Sequence, residues 1–359
     1  MIPIVKPFLP DIGRYQSYLD DIYARTWLTN NGPLVQELET RLAEYLGVEH
    51  LLLVANGTLA LQVAFRTFGL EEGEAITTPF TFAATPGALR WQNLQPRFAD
   101  ICPDSLNIAP DCVENLITET TRAIVPVHVF GNPCDVERLS TIAQRHGLKV
   151  IYDAAHAFAC QYKGQTVLQH GDAATLSLHA TKMFHCVEGG AIIFKEREAL
   201  EKARQLINFG FDRHNVPAHV GINAKMSELH AAMGLAMLDI FPEILAHRQA
   251  LMQAYQQQLS GWVTFQEWSK DSRNNGAYAP IILPSEAHVF AVMDALQAVN
   301  IQSRRYFYPN LAEVSVYGDE GICPTSADIS RRILCLPLFA NMTFEEVSTV
   351  SETVKKALS

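Results

Sequence analysis

The sequence predicts an α/β fold with a mostly parallel central sheet flanked by helices, followed by a smaller C-terminal α+β domain. Short apolar runs recur between about residues 50 and 195, and helix-like stretches separate them. The runs are continuously apolar rather than alternating, which is typical of strands buried on both faces of a parallel sheet. Alternating strands and helices of this kind place ligand sites at the carboxyl ends of the strands.

The elements follow from these patterns in chain order. Predicted strands lie at residues 51–54, 75–78, 123–129, 149–152, 174–178 and 190–194, and predicted helices include 58–68, 110–117 and 135–146. Residues 227–245 predict one long apolar helix whose small side chains suit a core or a subunit interface. After residue 246, helices at 248–259 and 287–299 accompany apolar runs at 278–283 and 333–338. We therefore predict a large domain over residues 1–245 and a small one over residues 246–359.

Composition narrows the class of protein. The chain has 359 residues with a net charge of −10, a hydrophobic fraction of 48% and a charged fraction of 18%. These values are ordinary for a soluble globular protein and disfavour nucleic acid or an anionic membrane as the main partner. The seven cysteines form no Cys-x-x-Cys pair, and no apolar stretch resembles a signal peptide or a membrane span. We expect a cytoplasmic protein without a metal site.

Two segments at predicted strand ends could serve a phosphorylated planar ligand. Asn56-Gly57-Thr58 opens a helix, where free backbone N–H groups and the helix dipole suit a phosphate. Taken alone, the same turn is more often a plain helix cap without a ligand. Phe82, after the strand at 75–78, could stack on a planar ring, although such a residue is more often part of the core.

Two further strand ends carry ionisable side chains. Asp153 and His156 follow the strand at 149–152, and a buried acid there needs a positive partner such as a protonated pyridine nitrogen. A helix cap with a core histidine would explain the same pair. Lys182, in an apolar stretch after the strand at 174–178, could have its pKa lowered by desolvation, which suits imine chemistry, or it could be a surface lysine. Taken together, the four segments describe a pyridoxal-phosphate site.

These segments belong to a longer series of motifs. The series contains Trp27-Leu28-Thr29-Asn30-Asn31-Gly32-Pro33, Gly57-Thr58-Leu59-Ala60-Leu61, Thr81-Phe82-Ala83-Ala84-Thr85, Asp153-Ala154-Ala155-His156-Ala157, His179-Ala180-Thr181-Lys182 and Gly221-Ile222-Asn223-Ala224-Lys225. In this order, over nearly the whole chain, they resemble the DegT/DnrJ/EryC1/StrS family of sugar aminotransferases, which are fold-type I pyridoxal-phosphate enzymes.

The resemblance implies a role for each matching position. Lys182 would hold the cofactor covalently and shuttle the proton, and Asp153 would pair with the pyridine nitrogen. His156 would lie near the ring hydroxyl, and Phe82 would stack on the ring. Gly57, Thr58 and Ser177 would bind the cofactor phosphate. Asn223 would reach that phosphate from the neighbouring subunit, so the active site would be shared across a homodimer. Asn56 departs from the family, in which serine is commoner at that position.

The implied reaction is transamination between L-glutamate and a nucleotide-linked keto sugar. The sequence texture is most similar to enzymes that make dTDP-4-amino-4,6-dideoxyglucose; amination at C3 or a GDP- or UDP-linked sugar fits almost as well. Candidate cations for the sugar diphosphate are Arg213, Lys225, Arg304 and Arg305, and ordinary surface charge explains them equally well. A dehydratase with the same cofactor, or a non-catalytic relative that only binds cofactor or sugar, would carry many of the same motifs. Dehydratase relatives carry histidine at the position of Lys182, so the lysine favours transamination.

Overall fold

The computed structural model describes residues 1–318 and 321–359 of the chain. Within these ranges the helices are α1 Ile12–Arg25, α2 Pro33–Leu46, α3 Gly57–Thr67, α4 Ala84–Trp91, α5 Pro110–Asn115, α6 Val136–His146, α7 Arg197–Leu206, α8 Glu228–Leu238, α9 Phe241–Leu259, α10 Glu286–Ala298, α11 Pro324–Arg332 and α12 Phe344–Leu358. The strands are β1 His50–Val54, β2 Glu74–Thr77, β3 Gln95–Phe98, β4 Thr121–Val125, β5 Lys149–Asp153, β6 Gln161–Tyr162, β7 Gln165–Thr166, β8 Ala173–Ser177, β9 Gly190–Phe194, β10 Ser272–Arg273, β11 Ala279–Ile282 and β12 Ile333–Leu336.

The central sheet has seven strands in the order β1-β9-β8-β5-β4-β2-β3. Strands β3, β2, β4, β5 and β8 pair in parallel, while β9 runs antiparallel to both of its neighbours. Helices cover both faces of the sheet, and two separate apolar clusters fill the layers. This arrangement confirms the predicted α/β class and the mostly parallel sheet, because crossover helices between consecutive strands bring their carboxyl ends to one edge.

The predicted strands agree with the structure to within a few residues, with two differences. The run at 123–129 ends as a strand at Val125, because Pro126 lacks an N–H for the ladder. Strand β3 was not predicted. It lies at the edge of the sheet, contains Pro96 and alternates in burial, so it lacks the continuous apolar signal of the inner strands.

The prediction of one long helix over residues 227–245 is wrong. The chain forms α8 and α9, which meet at an angle of 64°. Pro242 stands in the first turn of α9, where its missing N–H costs nothing, but inside a continuous helix it would remove a hydrogen bond. Helix α9 then runs on to Leu259 and includes the helix predicted at 248–259.

No single helix of the described ranges combines the length and apolar composition needed to cross a membrane; only α8 and α9 together, bent as they are, satisfy those two criteria.

The C-terminal part contains the mixture of helices and strands that the sequence predicts. Strands β11 and β12 pair antiparallel, and helices α9, α10 and α12 pack around them in a third apolar cluster. Helix α9 crosses the predicted boundary at residue 245: Phe241 and Ile244 pack with the large sheet, whereas Leu251 and Tyr255 pack in this third cluster. The division at residues 245 and 246 stays a prediction.

Candidate active site

A cavity of about 780 Å³ opens where the carboxyl ends of the parallel strands meet the C-terminal part of the chain. Residues after β1, β2, β5 and β8 line one side, and residues from the segment before β11 and from the loop after α10 line the other. The polar and aromatic lining residues are Asn56, Thr58, Thr81, Phe82, Asp153, His156, Thr175, Ser177, His179, Thr181, Lys182, Glu188, Tyr278, Arg304, Tyr306 and Phe307. Seven of the eight predicted cofactor residues therefore share one cavity.

The start of α3 forms a small polar recess at this cavity. The Oδ1 atom of Asn56 accepts a hydrogen bond of 2.9 Å from the backbone N–H of Leu59 and so caps the helix. Thr58 is exposed to the cavity, and Ser177 lies directly opposite Gly57. A Cβ atom on Gly57 would lie 3.0 Å from the Ser177 Cβ atom, so only glycine leaves the recess open. Helix amides with two hydroxyls around an open recess are suited to a phosphate.

The glycines before β9 explain how this recess is closed from behind. A Cβ atom on Gly190 would lie 2.5 Å from the backbone carbonyl of Asn56 and 2.8 Å from the Gly57 nitrogen. Strand β9 pairs with both β1 and β8, so it must pass this close to the turn after β1. Gly190, the first residue of β9, therefore allows the close backbone approach to the turn that forms the phosphate recess.

Asp153 ends β5 and is buried, with 6% of its surface exposed. Burial raises the pKa of its carboxyl group, whereas hydrogen bonds and the nearby Lys182 oppose that rise. The Thr85 hydroxyl donates to Oδ2 at 2.7 Å, and the Ala155 N–H donates to Oδ1 at 3.1 Å. The Thr81 hydroxyl lies 2.9 Å from the Thr85 hydroxyl, so the hydrogen-bonded series that begins at Asp153 includes a second threonine. These donors favour the ionised carboxylate, the form that pairs with a protonated ring nitrogen.

His156 is held in one orientation. The backbone N–H of Phe130 donates to its Nδ1 atom at 3.2 Å, so in the neutral ring the proton is on Nε2. Its ring stacks against Phe130 and Phe307 with centroids 6.2 and 5.9 Å away. Burial, and secondarily the charge of Lys182, holds the pKa of His156 well below its usual 6.5. The ring is thus a neutral hydrogen-bond donor at physiological pH.

Lys182 follows β8 and lines the same cavity. Its Nζ atom donates to the Tyr278 hydroxyl at 3.3 Å and lies 5.9 Å from that ring's centroid. Burial lowers the pKa of Lys182, and the negative charge of Asp153 offsets part of this shift. A lysine that is deprotonated more easily than usual suits reaction with an aldehyde and proton transfer.

Tyr278 is placed by a buried arginine on α9. Arg248 donates to the carbonyl oxygens of Gly276 and Ala277, each at 2.9 Å, and to that of Leu338 at 3.1 Å. These contacts fix the segment before β11 against the end of β12. Arg248 therefore fixes the position of Tyr278 within the C-terminal part of the chain.

The two phenylalanines of Pro79-Phe80-Thr81-Phe82 have different surroundings. Phe80 is fully buried and meets Phe130 and Phe307 edge-on. Phe82 keeps 56% of its surface exposed and lines the cavity. An exposed aromatic ring at this place is available to stack on a planar ligand.

The predicted cations are not all brought to the cavity. Arg304 lines it, whereas the Arg305 guanidinium binds Glu286 at 2.7 Å and two backbone carbonyls. The assignment of Arg305 to substrate binding is corrected, since its side chain turns away and holds α10 to the end of α11. Arg213 lies on an exposed loop, and Lys225 binds Asn208 at 3.0 Å. Neither residue reaches the cavity of its own chain.

Asn223 is also outside this cavity. It pairs with Asn208 at the base of the loop over residues 208–223 and is exposed. Contact with the cofactor in its own subunit is therefore not made, and only the predicted contact across a dimer remains possible.

Three residues of the site were missed from the sequence. Thr85 carries a weak signal, a hydroxyl in the first turn of α4 placed four residues after Thr81. Tyr278 and Tyr306 carry none, because their roles depend on how the C-terminal part packs on the sheet.

The comparison with protein families decides the identity of this arrangement. The DegT/DnrJ/EryC1/StrS aminotransferase family matches residues 12–355. The chain belongs to this family. The predicted family is thereby confirmed, together with the prediction of a pyridoxal-phosphate-dependent sugar aminotransferase.

Individual members of the DegT/DnrJ/EryC1/StrS family match over almost the full length. The dTDP-4-amino-4,6-dideoxy-D-glucose transaminase of Shigella dysenteriae is 40% identical over 361 residues, which cover 98% of each chain. The enzyme of that name from Escherichia coli is 36% identical and covers 98% of this chain and 97% of its own. The crystal structure of DesI with its TDP-sugar product superposes with a TM-score of 0.94 at 36% identity, covering 99% of this chain and 93% of DesI. The fold-type I architecture is thus confirmed.

The residues present fit pyridoxal phosphate. The recess at Gly57, Thr58 and Ser177 suits the phosphate, and the ionised Asp153 suits the ring nitrogen. His156 offers a donor, and Lys182 offers an amine opposite the recess.

Proposed function

We propose that the protein transfers an amino group from L-glutamate to dTDP-4-keto-6-deoxy-D-glucose, giving dTDP-4-amino-4,6-dideoxy-D-glucose and 2-oxoglutarate. The two transaminases of that name, 40% and 36% identical over nearly the whole chain, support this substrate. The observation that carries the proposal is the single cavity that Lys182, Asp153 and the phosphate recess line together. A cytoplasmic location is part of the same proposal, since nucleotide sugars and glutamate are soluble metabolites.

The large domain would hold the cofactor. Gly57, Thr58 and Ser177 would bind its phosphate, and Phe82 would cover one face of the ring. Bound pyridoxal phosphate supplies an electron sink that stabilises negative charge at the carbon losing its proton. The carboxylate of Asp153, kept ionised by Thr85 and Ala155, would keep the ring nitrogen protonated and so maintain that sink.

Lys182 would move the proton in both halves of the reaction. As a neutral amine it takes the proton from Cα of the amino donor, and as an ammonium group it delivers a proton to C4 of the sugar. Its lowered pKa makes the neutral form accessible, and the Tyr278 hydroxyl holds the Nζ atom in the cavity. His156 would donate from Nε2 to the ring hydroxyl without changing its own charge.

We also propose a homodimer with shared active sites. Exposed apolar side chains lie near Asn223, the residue predicted to contact the neighbouring subunit. Phe209 and Ile222 are 49% and 42% exposed. They are adjacent, because the Phe209 N–H donates to the Ile222 carbonyl. Leu28 and Leu229 are 56% and 41% exposed and adjacent, because the Glu228 N–H donates to the Leu28 carbonyl. A second copy covering these side chains would bring Asn223 toward the partner's phosphate recess, and Arg213 and Lys225 toward the partner's sugar diphosphate.

The proposal is tested by supplying the cofactor-loaded enzyme with dTDP-4-keto-6-deoxy-D-glucose and L-glutamate and analysing the sugar by mass spectrometry. The amine-bearing product is expected with the wild type and absent with Lys182→Ala. GDP- and UDP-linked 4-keto sugars and a dTDP-3-keto sugar run as parallel substrates; preference for one of them would replace the sugar proposed here. A deoxygenated product without nitrogen would instead identify a dehydratase.

A further inference from the structure

One charged side chain at the cavity forms no ion pair with any residue that the structure describes. Among its lining residues, Lys182 is placed for chemistry and His179 lies 3.6 Å from the carboxylate of Glu188. Arg304 also lines the cavity, and within residues 1–318 and 321–359 it makes no ion pair with a carboxylate. A fixed cation at the wall of a substrate cavity, without an acidic partner among the described residues, is suited to an anionic substrate group.

The backbone and the stem of Arg304 are held in place. Its N–H donates to the Cys335 carbonyl at 3.1 Å and its carbonyl accepts from the Cys335 N–H at 2.8 Å, which attaches it to β12. The guanidinium lies over the Tyr306 ring, 4.7 Å from the centroid. Stacking occupies the face of the guanidinium and leaves its N–H edge free for a bidentate contact with a carboxylate.

The path from Arg304 to the reacting amine is short and aromatic. The Tyr306 ring lies 5.8 Å from the Tyr278 ring, and the Tyr278 hydroxyl lies 3.3 Å from Lys182 Nζ. Two aromatic side chains, Tyr306 and Tyr278, therefore connect Arg304 with Lys182 along the wall of the cavity. An amino acid carries its carboxylates close to the reacting Cα atom, whereas a 4-keto sugar carries its diphosphate on C1, across the ring from C4.

We infer that Arg304 binds a carboxylate of the amino donor and makes no contact with the sugar diphosphate. This inference rests on the proposed function. It specifies how one site accepts two unlike substrates: the amino donor carries its carboxylate near the reacting carbon, whereas the sugar carries its diphosphate far from the reacting carbon. Arg304 is thus a specificity-determining residue for the first half of the reaction.

The inference is tested by comparing wild type, Arg304→Gln and Arg304→Lys with Arg331→Gln, an arginine of α11 that is paired with Glu313 outside the cavity. Binding of glutarate, an unreactive dicarboxylate, and of dTDP is measured by calorimetry on the cofactor-loaded enzyme. Arg304→Gln should weaken glutarate binding at least about tenfold and leave dTDP binding unchanged, with Arg304→Lys in between because it keeps the charge but loses the fork. Arg331→Gln should match the wild type in both.

Half-reactions provide the second readout. Bleaching of the cofactor band by L-glutamate alone reports the donor half, and bleaching by the amino-sugar product alone reports the sugar half in reverse. Arg304→Gln should raise the half-saturating glutamate concentration about tenfold or more without changing that of the amino sugar. Weaker dTDP or amino-sugar binding, or unchanged glutarate binding, would overturn the inference. A wild type whose band no glutamate concentration bleaches would instead refute the donor in the proposed function.

Discussion

The Thr85 hydroxyl donates a 2.7 Å hydrogen bond to Oδ2 of Asp153 and lies 2.9 Å from the Thr81 hydroxyl, so two threonines extend from the carboxylate that faces the cavity. Because the Thr85 proton points to the acid, its oxygen accepts from Thr81, and each bond polarises the next. The carboxylate is buried, so this chain helps to keep it ionised where burial alone raises its pKa.

Thr85→Val should therefore weaken binding of pyridoxal phosphate. Losing a charge-assisted hydrogen bond costs about 1.5–3 kcal/mol, and the more easily protonated Asp153 pairs less well with the ring nitrogen. Cofactor affinity is measured by absorbance titration of the apoprotein. Thr81→Val, one bond further away, should have a smaller effect in the same direction, and Thr85→Ser should restore affinity. Equal losses for both valine variants would argue against this hydroxyl chain.

Gly57→Ala should also weaken cofactor binding, because its Cβ atom would stand 3.0 Å from the Ser177 Cβ atom and narrow the phosphate recess. We expect a loss of affinity of about tenfold, as when a close steric contact of about 1–3 kcal/mol is introduced. The matched control is Gly87→Ala in α4, where an added Cβ atom meets nothing within 4 Å. That variant should bind cofactor normally and unfold at a slightly higher temperature, since alanine favours a helix by about 1 kcal/mol.

The rate at which the apoprotein captures pyridoxal phosphate should rise with pH and reach half of its maximum below pH 10.5, the ordinary pKa of a lysine. Only the neutral amine of Lys182 attacks the aldehyde, and burial disfavours its ammonium form, so the pKa that governs capture is lowered. Stopped-flow absorbance between pH 6 and 11 follows the reaction. A midpoint at or above 10.5 would contradict a desolvated Lys182.

Mixed dimers test whether Asn223 serves the neighbouring subunit. Asn223→Asp should repel the cofactor phosphate, and Lys182→Ala lacks the reactive amine, so each homodimer should be inactive or nearly so. A mixed dimer combines an intact Lys182 from one subunit with an intact Asn223 from the other at one of its two sites. Random mixing should then recover about one quarter of the wild-type activity. Mixtures without any recovery would place Asn223 in its own subunit's site or outside the chemistry.

Glu228 illustrates a buried charge with a structural task. It has no exposed surface, accepts hydrogen bonds from the N–H groups of Leu34 and Val35 at 3.1 and 3.0 Å, and lies 3.6 Å from Arg25. Glu228→Gln should lower the free energy of unfolding by about 2–4 kcal/mol, since the start of α2 loses a capping carboxylate and Arg25 loses the buried one of its two carboxylate partners. Chemical denaturation of the apoprotein measures this change, and Glu243→Gln on the surface of α9 is the control.

Much of the site could be predicted from local sequence, for a physical reason. Gly57, Thr58, Asp153, Ser177 and Lys182 each follow a continuously apolar run, and such runs become parallel inner strands whose carboxyl ends meet at one edge. The edge strand β3 was missed because it lacks a continuously apolar run. The break before α9 was missed because it depends on a single proline, Pro242, within an apolar stretch.

Arg304 and Arg305 mark the limit of that reasoning. As neighbours in extended backbone beside β12 they point to opposite sides, and which side faces the cavity depends on the pairing of Arg304 with Cys335. Likewise, Tyr278 reaches Lys182 from the C-terminal part of the chain, where Arg248 holds the segment before β11 against the end of β12. The order of residues along the chain is sufficient to predict which groups share one edge of the sheet. Contacts between the two parts of the chain, such as Lys182 with Tyr278, join residues about 100 positions apart, and only tertiary packing decides them.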